Sequence, residues 1–61
     1  MKDLTLAERM LRYRAAHHIN QRELAKLAGV SLQTINYLER EKQTPSRVTR
    51  TKIEMVLEKG E

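Results

Sequence analysis

The residues best suited to acid–base or metal chemistry are His17 and His18, and their adjacency keeps them from acting as a pair. On a helix, neighbours point about 100° apart, so the two rings do not close on one metal ion. They read instead as an exposed helix end, with both rings near its negative pole. The chain has no cysteine, hence no thiolate nucleophile, disulfide or Cys-based zinc site. No hydroxyl stands beside a base, no carboxylates form a buried pair, and no Gly-rich loop offers a phosphate cradle. The sequence therefore predicts no catalytic residues, no metal, no cofactor and no enzymatic activity. The three methionines read as core fillers.

Charge gives a different lead. The 12 Lys and Arg outnumber the 8 Asp and Glu, a formal +4 in 61 residues, and the excess is uneven. Residues 40–52 hold Arg40, Lys42, Arg47, Arg50 and Lys52 against Glu41 alone, whereas the tail from residue 53 is acidic. A basic block beside an acidic end fits a polyanionic partner at one surface; by itself it fits a solvated face equally well. The apolar runs are too short to span a membrane, and no signal-peptide pattern opens the chain.

These side chains have to be positioned by helices. Thr5-Leu-Ala-Glu8 and Asn20-Gln-Arg-Glu23 both have capping-box spacing, in which the first side chain accepts from a backbone N–H and the Glu reaches back. The first helix is predicted over about 5–16, with Leu6, Met10 and Tyr13 inward. The second covers about 21–28, with a stripe of Leu24, Leu27 and Ala28, and is closed by Gly29 in the left-handed conformation. Ser31 caps a third helix over about 32–40, with Ile35 and Leu38 inward and Gln33, Asn36, Tyr37 and Arg40 outward. After a polar loop ending at Pro45, a fourth helix covers about 46–58. Its apolar set is Val48, Ile53, Met55, Val56 and Leu57, and Gly60 lies past its end. The expected fold is all-α, a compact bundle of four to five short helices in one domain spanning 1–61, the fifth forming only if residues 41–52 divide.

Gln21, Ala25, Gly29, Ile35 and Leu38 together have the spacing of a helix-turn-helix, with its core over about 20–40. Ala25 allows the second and third helices to cross closely, Gly29 makes the turn, and Val30, Ile35 and Leu38 lock the third helix. That helix then projects where it can enter a major groove. The run from Asn20 to Ser31, with Ile35, Glu39, Arg14 and the Pro45-Ser46 pair, resembles the lambda-repressor-like helix-turn-helix domains, also called the XRE or Cro family. The resemblance covers roughly residues 6–57. Glu41 stands where the family usually has Gly, which predicts an extended or reshaped exit from the third helix. Arg50 and Glu54 stand at usually apolar positions, which predicts looser packing or rotation of the last helix.

The resemblance implies that Leu32, Gln33, Asn36, Tyr37 and Arg40 read bases. The chemistry agrees with this. Each carboxamide offers a donor and an acceptor, matching the N6/N7 edge of adenine; Arg40 can fork onto guanine, and Leu32 can touch a thymine methyl. For Leu32 the other reading is packing against the fourth helix. The expected phosphate contacts are Gln21, Arg22, Ser31, Thr34, Lys42, Thr44, Ser46 and Arg47, which position without reading sequence. Arg14 and Glu39 resemble the family's ion pair tying the first helix to the third.

The expected protein is a binder of double-stranded DNA, a transcriptional regulator of the repressor type acting by operator occupancy in a bacterial or phage cytoplasm, nucleoid-associated. The alternative is an antitoxin-type or other protein-interaction module of the same fold, with a protein partner. A weak homodimer through the C-terminal helix, by Met55, Val56 and Leu57, is expected in solution and should tighten on a palindrome; the other reading of those residues is that they close the core. A membrane-lying role is set aside because Glu54 and Glu58 interrupt the basic face of the last helix.

Overall fold

A computed structural model describes residues 4–60, so Met1, Lys2, Asp3 and Glu61, and with Met1 one of the three methionines assigned to the core, lie outside it. Among the described residues there are four helices and no strand: α1 (Leu6–His17), α2 (Gln21–Ala28), α3 (Leu32–Glu39) and α4 (Arg47–Gly60). Residues 40–46 stay a connecting loop, so the fifth helix does not form. No described helix is long and apolar enough to cross a membrane.

Local chemistry starts each helix. Thr5 Oγ1 accepts from the Glu8 N–H at 3.1 Å while Glu8 accepts from the Thr5 N–H at 2.8 Å. Asn20 and Glu23 repeat the exchange at 2.8 and 2.9 Å. Ser31 caps α3 through the Thr34 N–H, and Ser46 caps α4 through the Thr49 N–H. Each such cap contributes about 1 kcal/mol.

α1, α2 and α3 all end in the same left-handed cap, and only one of them uses glycine. At each end the left-handed residue bonds back to the carbonyl three before it, and the next residue to the carbonyl five before it. The pairs are His18 to Ala15 with Ile19 to Arg14, Gly29 to Lys26 with Val30 to Ala25, and Glu41 to Leu38 with Lys42 to Tyr37. Their φ angles are 54° for His18, 71° for Gly29 and 56° for Glu41. Glu41 therefore does not extend or reshape the exit from α3. The helix stops at Glu39, because the two cap bonds satisfy carbonyls that would otherwise be orphaned.

The core takes at least one wholly buried large side chain from every helix: Met10, Leu24, Ile35, and both Ile53 and Leu57. Ala25 and Ala28 of α2 are buried in the same cluster, and Leu6, Tyr13, Ile19, Val30 and Val56 close the edges. Three sequence assignments to the interior are corrected. Leu27, Val48 and Met55 are 58%, 66% and 55% exposed. A helix buries one flank, and Leu24, Ala25 and Ala28 define it on α2, as Ile53 and Leu57 do on α4; Leu27, Val48 and Met55 fall outside those arcs. α4 also continues through Gly60, two residues past its expected end.

The caps predict mutational effects of opposite sign. A Cβ at Gly29 would meet nothing within 4 Å, so Gly29→Ala should destabilise through backbone strain alone, by about 1 kcal/mol. Glu41→Gly should stabilise by about 0.5–1 kcal/mol, a rise of a few degrees in Tm for a domain of this size. Thermal unfolding followed by circular dichroism checks both.

Candidate nucleic-acid interface

The geometry of the candidate site begins with one ion pair. Arg14 on α1 donates from Nε to Glu39 Oε2 and from Nη2 to Glu39 Oε1, both at 2.7 Å. The Glu39 side chain is only 4% exposed and that of Arg14 22%. The hydrogen bonds to Glu39 hold the Arg14 guanidinium above its usual pKa; burial opposes this and Coulombic attraction adds to it. The guanidinium thus stays charged through neutral pH and far into the alkaline range.

The pair extends outward through two amides. Gln21 at the start of α2 donates from Nε2 to Glu39 Oε1 at 2.9 Å, and Asn36 donates from Nδ2 to Gln21 Oε1 at 3.3 Å. The carboxylate can only accept, which fixes the orientation of the Gln21 amide and in turn that of Asn36. Asn36 keeps one N–H and acceptor capacity on Oδ1, which Arg40 reaches only at 3.5 Å. Asn36 is half-buried rather than fully outward, because Gln21 draws it toward α2.

Leu32, Gln33, Asn36 and Tyr37 on α3, with Arg40 at its C-cap, fall in adjacent rows at spacings of four along 32, 36 and 40 and along 33 and 37. Gln33 donates from Nε2 to Tyr37 Oη at 2.9 Å, leaving a second N–H and its oxygen unengaged in that bond. Leu32 is 41% exposed, so it is not enclosed by α4. The ridge therefore presents two carboxamides and a phenol from α3 and a guanidinium from its C-cap, which suits a groove edge carrying mixed donors and acceptors.

The expected phosphate contacts divide. Arg22 is exposed in the first turn of α2, and Lys42, Thr44, Ser46 and Arg47 are exposed on the loop after α3 and the head of α4. Ser31 and Thr34 share a hydroxyl–hydroxyl bond of 2.7 Å at the head of α3. Gln21 has its amide engaged inside the protein at both ends. The basic block of residues 40–52 is also split by helix geometry. Arg50 donates to Glu54 at 2.6 Å within α4, and Lys52 lies beside Leu27 and Met55 on the flank next to α2. The Gln21 link was invisible in the sequence; the eighteen-residue separation from Glu39 closes only when α2 and α3 pack.

Two further expectations meet the structure here. Leu57 is wholly buried and is therefore not available as a dimer contact; of the three residues expected there, Met55 is exposed and Val56 half-buried. The His17 ring stacks on Tyr13, with centroids 4.1 Å apart, and His18 forms the cap of α1. Among the described residues no group of three or more His, Cys, Asp or Glu is placed to hold a metal ion.

A family model described as helix-turn-helix matches residues 10–60, a span that includes every residue of the network and of the ridge. No curated protein and no solved structure matches the chain significantly.

Removing one end of the ion pair strands the other. Glu39→Ala should cost roughly 2–3 kcal/mol, a fall of about 10 °C or more in Tm. Replacing both partners, Arg14→Met with Glu39→Met, should cost less than the sum of the two single changes, since no buried charge is left behind. A double-mutant cycle by denaturant unfolding reads the coupling.

Proposed function

The chain belongs to the lambda-repressor-like (XRE) helix-turn-helix family, whose domains are of the DNA-binding transcription-regulator type, and on that premise we propose that it is a sequence-specific repressor acting by operator occupancy. The observation that carries this reading is the orientation of Asn36 by the Gln21–Glu39–Arg14 network. A reading amide gains specificity only if its donor and acceptor are held to one register, and here that register is imposed from three helices.

On this reading Gln33 and Asn36 address adenine edges, Arg40 addresses guanine or the neighbouring phosphate, and Leu32 and Tyr37 contact thymine methyls or backbone. Arg22, Ser31, Thr34, Lys42, Thr44, Ser46 and Arg47 hold phosphates on either side, and Gln21 contributes chiefly by holding Asn36. The protein acts without a cofactor and without catalysis, in the cytoplasm where duplex DNA is accessible. Two copies occupy an inverted repeat with half-sites about 34 Å apart. Contact between the copies through α4 is weak, because Met55 stands between Lys52 and Lys59 and Leu57 is committed to the core.

Selection of bound duplexes from a random pool tests the reading directly: an inverted repeat should emerge, and no enrichment at all would refute it. Gln33→Ala should lose ~1–3 kcal/mol of discrimination at one or two base pairs while random DNA is bound as before. Arg47→Ala should weaken all sequences alike and reduce the salt slope by about one unit. With about six phosphates neutralised, affinity should fall about a thousandfold between roughly 50 and 200 mM salt. Sedimentation should show a monomer alone and two copies per selected duplex; one copy per duplex would exclude the paired arrangement.

A further inference from the structure

The apolar side chains expelled from the core are not scattered. Leu27 on α2 forms a ridge between two shallow hollows. One, of about 210 Å³, is floored by Leu27, Met55 and Val56 and edged by Lys52 and Lys59. The other, of about 390 Å³, lies between Ile19 and Leu27 and is edged by Lys26 and Glu23. Val48 lies one turn before Lys52 and is also exposed. Leu27 stands six residues from Gln21, about 120° around α2, so the groove opens off the flank that holds α3.

We propose that these two hollows, one between α2 and α4 and one between Ile19 and α2, together dock one acidic amphipathic helix of another protein, independently of the duplex interface. The charges around the floor select the occupant. Three lysines and one glutamate edge the two hollows. A second copy of this chain seated there would bring the three lysines and one glutamate that edge the two hollows against the same set of charges, a net like-charge pairing. A phosphate backbone would satisfy the lysines but leave Leu27 and Met55 without apolar contact. A helix with leucines at spacings of three and four fills both hollows with one stripe, and glutamates flanking that stripe meet Lys26, Lys52 and Lys59. Lysine stems can cover apolar surface while their ammonium groups stay in water, so these three can border the floor and still meet an anionic flank.

The test uses the full 61-residue protein and two synthetic helical peptides with the same leucine stripe, one flanked by glutamates and one by lysines. Amide chemical shifts are followed during titration. The glutamate-flanked peptide should bind at least tenfold more tightly, with shifts centred on Ile19, Leu27, Met55 and Val56 and leaving Gln33 and Arg40 unmoved. Leu27→Ser should weaken binding at least tenfold with the melting curve and duplex binding retained. Lys52→Glu combined with Lys59→Glu should reverse the preference between the peptides. Equal affinity for the two peptides, shifts centred on α3, or no reversal would overturn the proposal. Concentration-dependent shifts at Ile19 and Leu27 as well as at Met55 and Val56 without peptide would assign the whole groove to a second copy, beyond the weak α4 contact, and overturn it as well.

Discussion

The carboxylate of Glu39 is the point on which the packing of α3, and with it the proposed reading surface, depends. It is almost wholly buried at the end of α3, and a carboxylate removed from water must be satisfied there or lose stability. Three donors from two other helices meet it: two from the Arg14 guanidinium on α1 and one from the Gln21 amide on α2. The bidentate fork restrains rotation as well as distance, so the tilt of α3 is fixed relative to the rest of the bundle. The constraint reaches the surface through Gln21, whose remaining acceptor sets Asn36. One hydrogen-bond chain thus joins the buried ion pair to the surface proposed to read bases, with its inner end at Glu39 almost wholly buried and its outer end at the half-buried Asn36.

The helix ends reflect a balance between geometry and residue preference. Three consecutive helices close with a left-handed residue, yet the chain supplies His18 and Glu41 at two of these positions. Their strain is offset by carbonyls satisfied at each cap and, at Ile19 and Val30, by apolar side chains packed on the core just beyond the turn. Lys42 follows Glu41 without that apolar contact, and it stays exposed. The α3 exit therefore combines a strained residue with a solvated one, and it leads directly into the loop that carries the proposed phosphate contacts.

The surface is partitioned by the same packing. The α3 ridge is polar and hydrogen-bonded along its length, whereas the α2–α4 groove is apolar and lysine-rimmed. Cationic side chains that look continuous between residues 40 and 52 serve different surfaces once α4 is wound. Arg50 is paired within its own helix, where an exposed pair of this kind contributes only a few tenths of a kcal/mol. Lys52 lines the same hollow as Leu27. A net charge locates a polyanion-binding tendency, but the helical period decides which cations act together.

Short-range rules carried much of this molecule. Both capping boxes, the Ser31 cap, the left-handed Gly29 and the inward pair Ile35 and Leu38 are consequences of residues within a few positions of one another, and the helix-turn-helix was legible from them. The all-α class came with them, since no alternating pattern competed with the period of the helix. What local pattern did not decide was which apolar residues the core has room for. Leu27, Val48 and Met55 are as hydrophobic as the residues that were buried, but a bundle this small encloses only one flank of each helix. Nor did it decide that Gln21 would serve Glu39, or that Glu41 would take a glycine's conformation. Those outcomes depend on where α1, α2 and α3 lie against one another, and only the packed structure brings residues 14, 21, 36 and 39 within hydrogen-bonding reach.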